Sequence, residues 1–264
     1  MSKEPTLILI PGGWHTAAVW DKVSDLLKAQ GYNCIGIDLP SCSPNPSATF
    51  HDDIQAVREA ILSETNDKTN DLVLVAWSYG GQVANSAIKG LTPTTTSDQQ
   101  AGDNSETAQA RVLGIALIAS GFTATGVGFL EATDGVPPPF ITLNHTAGHA
   151  ELAADPKDLF YHDLSEQEAK HWESNLTELS LKALAEGGEH AYAGWKDVPT
   201  WFLVPLEDRA LPAEVQKGFV RMAREQGGDV TVREVEGGHA VMLSRPGEVA
   251  EFFREAVKAF GGIT

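Results

Sequence analysis

The sequence predicts an α/β fold, a doubly wound and mostly parallel sheet with a helical cap insertion, and three observations point to it. Short apolar runs alternate with helix-period segments over roughly the first ninety residues. A single serine stands between a buried strand and a helix, flanked by small residues. The alternation breaks between residues 121 and 195 and then resumes.

Leu7 to Ile10 reads as a buried strand, followed by a Gly-rich turn and a helix marked by Val19, Val23, Leu26 and Leu27 that Gly31 stops. Asn33 to Ile37 is the second strand. Ile54, Val57 and Ile61 mark a helix, Leu72 to Ala76 a third strand, and Val83, Ala84, Ala87, Ile88 and Leu91 the helix after it. Such a βαβαβα order needs a parallel sheet covered on both faces. Residues 92–110 hold no large apolar side chain and read as a flexible loop, because nothing there offsets the entropy of ordering. Strands resume at Val112 to Ala119, Trp201 to Val204 and Val230 to Val235. A last helix from Pro246 lines up Val249, Phe252, Phe253, Val257 and Phe260. The expected organisation is a core of residues 1–120 and 196–264 with a cap over 121–195. That cap includes a helix opened by the capping box Ser165-x-x-Glu168. It spans 28% of the chain but holds 8 of its 20 aromatic residues, which favours a lid over a substrate cleft rather than additional core.

Composition narrows the function. With 42% hydrophobic and 21% charged residues the chain is neither disordered nor fibrous. A formal charge of −17 opposes approach to phosphate backbones and anionic lipid, so neither nucleic acid nor a membrane is an expected partner. The apolar stretch from Leu7 to Ile10 is too short for a signal peptide or a spanning helix, which suggests a cytoplasmic protein. Cys34 and Cys42 offer no disulfide framework. His145 and His149 have the spacing of a metal pair but lie in an expected loop without an HExxH glutamate, so no metal and no cofactor is expected.

The chemistry concentrates in Leu72-Val-Leu-Val-Ala-Trp-Ser78-Tyr-Gly-Gly81, which reads as a nucleophile elbow. A sharp strand-to-helix turn exposes the Ser78 hydroxyl and admits only small residues two positions away, here Ala76 and Gly80. Serine needs a base to take its proton, and the base needs an acid to orient it. His239 follows a strand in Glu236-Gly-Gly-His239 and is the candidate base. Asp208, at the end of Trp201 to Val204 and its following loop, is the candidate acid, with Glu207 its rival. Asp38 also ends a strand, but precedes the serine and reads as a loop-stabilising cap. The order Ser, Asp, His fits a nucleophile elbow. Two oxyanion donors are required; the Tyr79 amide is one, and the turn Ile10-Pro-Gly-Gly-Trp-His15 supplies the other, Gly13 by preference and Gly12 or Trp14 as alternatives. Gly12, Trp14, His15, Trp77 and Phe122 are expected at the substrate pocket, together with Tyr79 and Trp20, the last equally suited to the core.

These motifs resemble the α/β-hydrolase superfamily over essentially the whole chain. Leu7-Ile-Leu-Ile-Pro-Gly-Gly-Trp-His-Thr-Ala-Ala-Val-Trp20 is similar to the HGxxHGxWxW opening of the plant methylesterase and hydroxynitrile lyase group. Gly36-Ile-Asp-Leu is similar to that group's ALDL step, and the likeness continues through Asp208-x-Ala-Leu-Pro-x-x-x-Gln216 and Gly238-His239. The resemblance implies the α/β-hydrolase fold and the triad Ser78, Asp208 and His239. Lyases of the group carry a Thr in the first turn and a Lys after the histidine, where this chain has Gly12 and Ala240, so cyanohydrin cleavage is not expected. A serine where epoxide hydrolases and dehalogenases use Asp argues against those reactions. Pro11 also replaces the usual His of the opening pair. The expected activity is hydrolysis of small-molecule carboxylic esters or lactones. Two alternatives are a lyase, cyclase or isomerase using the His–Asp pair, and a non-catalytic small-molecule receptor.

Overall fold

The computed structural model describes residues 4–64, 71–93 and 111–261. From residue 94 onward, the expected flexible loop over 92–110 lies outside the described residues.

Four consecutive branched side chains, Leu7 to Ile10, suit a strand covered on both faces, and they form β1 (Thr6–Ile10), buried throughout. The other strands are β2 (Cys34–Gly36), β3 (Asp71–Trp77), β4 (Arg111–Ile118), β5 (Ile141–Asn144), β6 (His149–Leu152), β7 (Leu179–Ser180), β8 (Thr200–Pro205) and β9 (Val230–Val235). The helices are α1 (Asp21–Lys28), α2 (Phe50–Glu64), α3 (Gly80–Ala87), α4 (Pro156–Phe160), α5 (Glu166–Ser174), α6 (Leu181–Ala185), α7 (Ala213–Glu225), α8 (Val241–Ser244) and α9 (Pro246–Gly261). Six strands form one sheet in the order β2-β1-β3-β4-β8-β9, every neighbouring pair parallel. Their carboxyl ends therefore share one edge. After β1 the chain first adds β2 on one side and then β3 on the other, so the strand order reverses between β1 and β3. In open α/β sheets a crevice forms at such a reversal, beyond the carboxyl ends. Here those ends lead into Pro11 and Ser78.

The insertion differs from the expected helical cap. Besides α4, α5 and α6 it contains a three-stranded antiparallel sheet, β5-β6-β7. Strands of four, four and two residues are too short for alternation to stand out from the sequence. His145 sits in the turn between β5 and β6, while His149 lies on β6. Ser165 caps α5 as expected, its hydroxyl accepting from the Glu168 amide.

Close packing at the reversal requires the small residue read from the sequence. A Cβ on Gly80 would stand 2.2 Å from the Pro11 carbonyl oxygen and 3.0 Å from Ile10 Cγ2, because the first turn of α3 crosses directly over the end of β1. Gly247, in the first turn of α9, has nothing within 4 Å of that position. Gly80→Ala is expected to destabilise the fold by about 1–3 kcal/mol through overpacking, read as a fall of several degrees in Tm. Gly247→Ala is expected to be neutral or slightly stabilising. Equal Tm values for the two variants would contradict the packing argument.

Candidate active site

β3 ends at Trp77 and α3 begins at Gly80, leaving two residues for the reversal of direction. Ser78 absorbs the turn with φ of +53°, a left-handed conformation uncommon for a residue with a Cβ. Three hydrogen bonds hold it there. Its amide donates to the Ile118 carbonyl at 3.0 Å, and its carbonyl accepts from the Gly81 amide at 3.0 Å and from the Ser120 hydroxyl at 2.7 Å. Ser120, just past β4, was not singled out in the sequence because nothing local distinguishes it.

The Ser78 hydroxyl lies 3.1 Å from His239 Nε2, and His239 Nδ1 lies 2.8 Å from Asp208 Oδ2. A carboxylate accepts, so Nδ1 carries a proton, and the tautomer this selects has Nε2 as the acceptor facing the hydroxyl. Asp208 Oδ1 accepts from the Ala210 and Leu211 amides, each at 2.8 Å, and Oδ2 also accepts from Gln216 Nε2 at 3.0 Å. Glu207 points its side chain to solvent, so Asp208 is the acid that meets the histidine. Asp38 instead accepts from the Ala17 amide at 2.7 Å, away from this chain of bonds.

His239 is clamped from several directions. Phe160 of α4 stacks on its ring at 5.5 Å, and Trp77 meets it at 5.1 Å while donating its indole N–H to the His239 carbonyl at 2.9 Å. The insertion grips the loops on both sides of the pair. Asp163 accepts from the Gly238 amide at 2.7 Å, and His162 donates to the Glu207 carbonyl at 2.9 Å. Phe160, His162 and Asp163 are 75 or more positions from His239, so no local pattern announced them.

The turn after β1 stands against the elbow. A Cβ on Gly12 would lie 3.1 Å from Ser78 Cβ, and one on Gly13 would lie 3.9 Å from Tyr79 Cβ. Among the described residues the Gly13 and Tyr79 amides donate to no other protein group. Trp14, at φ of +62°, turns away into the insertion and donates to the Ala150 carbonyl at 2.8 Å. There it lines a cavity of about 280 Å³ with His149, Glu151 and Leu176. His15 and Trp77 are buried and meet each other edge to face at 4.6 Å, next to His239, on which Trp77 packs. Phe122 stacks on Phe202 and meets Trp195 edge-on, contacts of the core. Trp20 is buried against Phe253. Tyr79 is also buried; its hydroxyl donates to Asp53 at 2.7 Å, and burial pushes its pKa well up. Among the described residues no group of three or more His, Cys, Asp or Glu side chains is arranged to hold a metal, and no helix is long and apolar enough to cross a membrane.

Two buried ionisable groups give opposite pH signatures. Desolvation lowers the pKa of His15 from 6.5 to about 3, so the ring is neutral. Its Nδ1–H donates to the Gly13 carbonyl at 2.7 Å, which leaves Nε2 to accept from Tyr161 at 2.5 Å. Between those pKa values the unfolded chain binds a proton that native His15 refuses, so its contribution to stability falls with acidification, at about 1.4 kcal/mol per pH unit. Burial raises Asp53 from 3.8 to about 6, so the native state binds the extra proton in that window and gains stability as pH falls. In urea midpoints measured from pH 7 to 4, His15→Gln is expected to flatten the acid loss of stability. Asp53→Asn is expected to steepen it below about pH 6. The reverse pattern would refute these assignments.

Comparison with known proteins accords with this geometry. A family model described as "Alpha/beta hydrolase family" matches residues 7–252. An alpha/beta hydrolase of Aspergillus novofumigatus (strain IBT 16806), nvfD, is 27% identical over 255 residues, covering 96% of each chain. A pyrethroid hydrolase from Sphingobium faniae JZ-2 is similar in structure with a TM-score of 0.71 at 19% identity, over 97% of this chain and 98% of that one. Tomato methylketone synthase I has a TM-score of 0.73 at 16% identity, over 97% and 99%. Polyneuridine aldehyde esterase has 0.70 at 19%, over 96% and 99%. At these identities the structural likenesses speak for the fold, and the family match spans nearly all of the sequence. The chain belongs to the α/β-hydrolase family.

Proposed function

We propose that this protein hydrolyses small-molecule carboxylic esters or lactones through an acyl-enzyme on Ser78. The observation that carries the reading is the continuous hydrogen-bond chain from Ser78 Oγ through His239 to Asp208. In the first half-reaction His239 Nε2 takes the hydroxyl proton as Ser78 Oγ attacks the carbonyl carbon, and the same proton then passes to the leaving alkoxide. In the second, water attacks the acyl carbon, His239 takes its proton, and Ser78 leaves as the alcohol. Asp208, bonded to Nδ1, stabilises the imidazolium formed in both halves.

The developing oxyanion needs donors that are already in place, and the amides of Gly13 and Tyr79 suit this role. They flank the serine from two segments and donate to nothing else among the described residues. Each donor is worth about 3–4 kcal/mol of transition-state stabilisation. Residues 121–195 serve in this reading as the cap that closes over the ester. Residues 151–190 carry ten acidic side chains against three lysines, which favours neutral or apolar substrates over polyanions. The names of the pyrethroid hydrolase and of the polyneuridine aldehyde esterase are in keeping with an ester-cleaving role on this scaffold.

Ser78→Ala and His239→Ala are each expected to lower kcat on aryl esters by about 10⁴-fold or more. A fluorophosphonate should label the wild type at Ser78 and leave Ser78→Ala unlabelled, as seen by mass spectrometry. Turnover that survives Ser78→Ala would assign the chemistry to the His239–Asp208 pair instead and reject the acyl-enzyme. Gln216→Leu, which removes one donor from Asp208, is expected to cost about tenfold in kcat, with KM little changed in steady-state kinetics.

A further inference from the structure

Asp53 is a fully buried carboxylate on α2 that the triad does not use, and it has no cationic partner among its hydrogen bonds. Its Oδ1 accepts from the Ser41 amide at 2.9 Å. Its Oδ2 accepts from the Ser41 hydroxyl at 2.6 Å and from the Tyr79 hydroxyl at 2.7 Å. Burying a carboxylate without a cation is costly, and burial accordingly holds its pKa near 6 rather than 3.8. An asparagine or an apolar residue would fill the space at lower cost, so scaffolding alone does not explain an acid here.

What the carboxylate joins does explain it. Tyr79 follows the nucleophile, and its amide is one of the two free donors. Its ring is fixed at the tip by Asp53 and on one side by Phe50 at 6.3 Å, one turn earlier on α2. On the other side, Ser41 is bound through both amide and hydroxyl. Its neighbour Cys42 donates to the Gly12 carbonyl at a sulfur–oxygen distance of 3.7 Å. Gly12 immediately precedes Gly13, the second free donor. One carboxylate therefore ties together the two segments, distant in sequence, whose amides must point at one oxygen atom. Its four lone-pair sites, two on each oxygen, accept three donors at once; a neutral amide has one accepting atom and cannot do this.

We propose that Asp53 is a positioning residue for acyl transfer, holding the Tyr79 and Gly12–Gly13 segments in the register that stabilises the oxyanion. This rests on the reading of Ser78 as nucleophile. The test compares wild type, Asp53→Asn, Tyr79→Phe and the double variant on 4-nitrophenyl butyrate, with kcat counted per active site titrated by a fluorophosphonate. The inhibition constant of phenylboronic acid, which forms a tetrahedral adduct on serine, is measured alongside. Each single variant is expected to lose about 10- to 100-fold in kcat with KM within twofold. The boronic acid should weaken by a similar factor, and the double variant should be no worse than Asp53→Asn. A merely structural role would lower Tm and the titrated fraction while leaving kcat per site and the boronic acid constant unchanged, and that result would overturn the proposal. If Asp53→Asn does not fold, Tyr79→Phe decides alone, and unchanged kcat in it is likewise fatal. A wild type that Ser78→Ala matches in turnover would instead reject the nucleophile assignment, which keeps the two failures apart.

Discussion

The backbone turn at Ser78 is the constraint on which the rest of the site depends. A parallel strand buried on both faces must hand over to a helix within two residues, and that is only feasible if one of them takes a positive φ. The cost is met by fixing both ends of the turn. β3 is locked between β1 and β4 by ladder hydrogen bonds, and the Ser78 amide and carbonyl are tied to Ile118, Gly81 and Ser120. The same turn forces α3 across the end of β1, which excludes a side chain at Gly80 and brings Gly12 and Gly13 against the serine. The orientation of the Ser78 hydroxyl and the proximity of candidate oxyanion donors are thus two consequences of one geometry.

Polar groups beneath the site are arranged so that each has a single protonation pattern. The Gly13 carbonyl can only accept, so it specifies the His15 tautomer, and Asp208 does the same for His239. The two imidazoles are close enough for a charge on one to oppose a charge on the other. Trp77 and Phe160 pack around both rings, so the hydrogen bonds of the two imidazoles lie in a region of low polarity, where such bonds are strong.

Legibility from the sequence followed how local each signal was. The elbow, the Gly-rich turn and the ends of β8 and β9 are encoded within ten residues each, by an apolar run followed by a small or polar residue, so Ser78, Asp208 and His239 could be singled out as candidates from the sequence, and the fold brings their side chains together. Tyr79 and Gly13 could be named as candidate donors from the sequence because that role would belong to the backbone. Side-chain expectations around the pocket fared differently. Trp77, next to the serine in sequence, and His15, in the turn after β1, are both buried and pack on each other, with Trp77 also against His239. Phe160, Asp163 and Asp53 come from other elements, and only a folded chain brings them in. The β5-β6-β7 sheet was missed because short antiparallel strands take their stability from pairing rather than from their own periodicity.

The placement of the insertion makes physical sense in these terms. Loops at the carboxyl ends of parallel strands are the least constrained part of such a fold, yet Asp208 and His239 sit on two of them, after β8 and β9. In this protein the segment 160–163 spans both. It supplies a ring to His239, a carboxylate to the Gly238 amide and an imidazole to the Glu207 carbonyl. Trp14 anchors the turn after β1 to the same insertion through Ala150 and Thr177. A cap that only covered a cleft would not need to bond to the loops beneath it. Here the insertion helps to set the geometry of the loops that carry Asp208 and His239 and of the turn after β1, so sequence changes in it are constrained by these contacts. Sequence change is then easiest in the parts of the insertion remote from residues 160–163 and from the hydrogen-bond partners of Trp14.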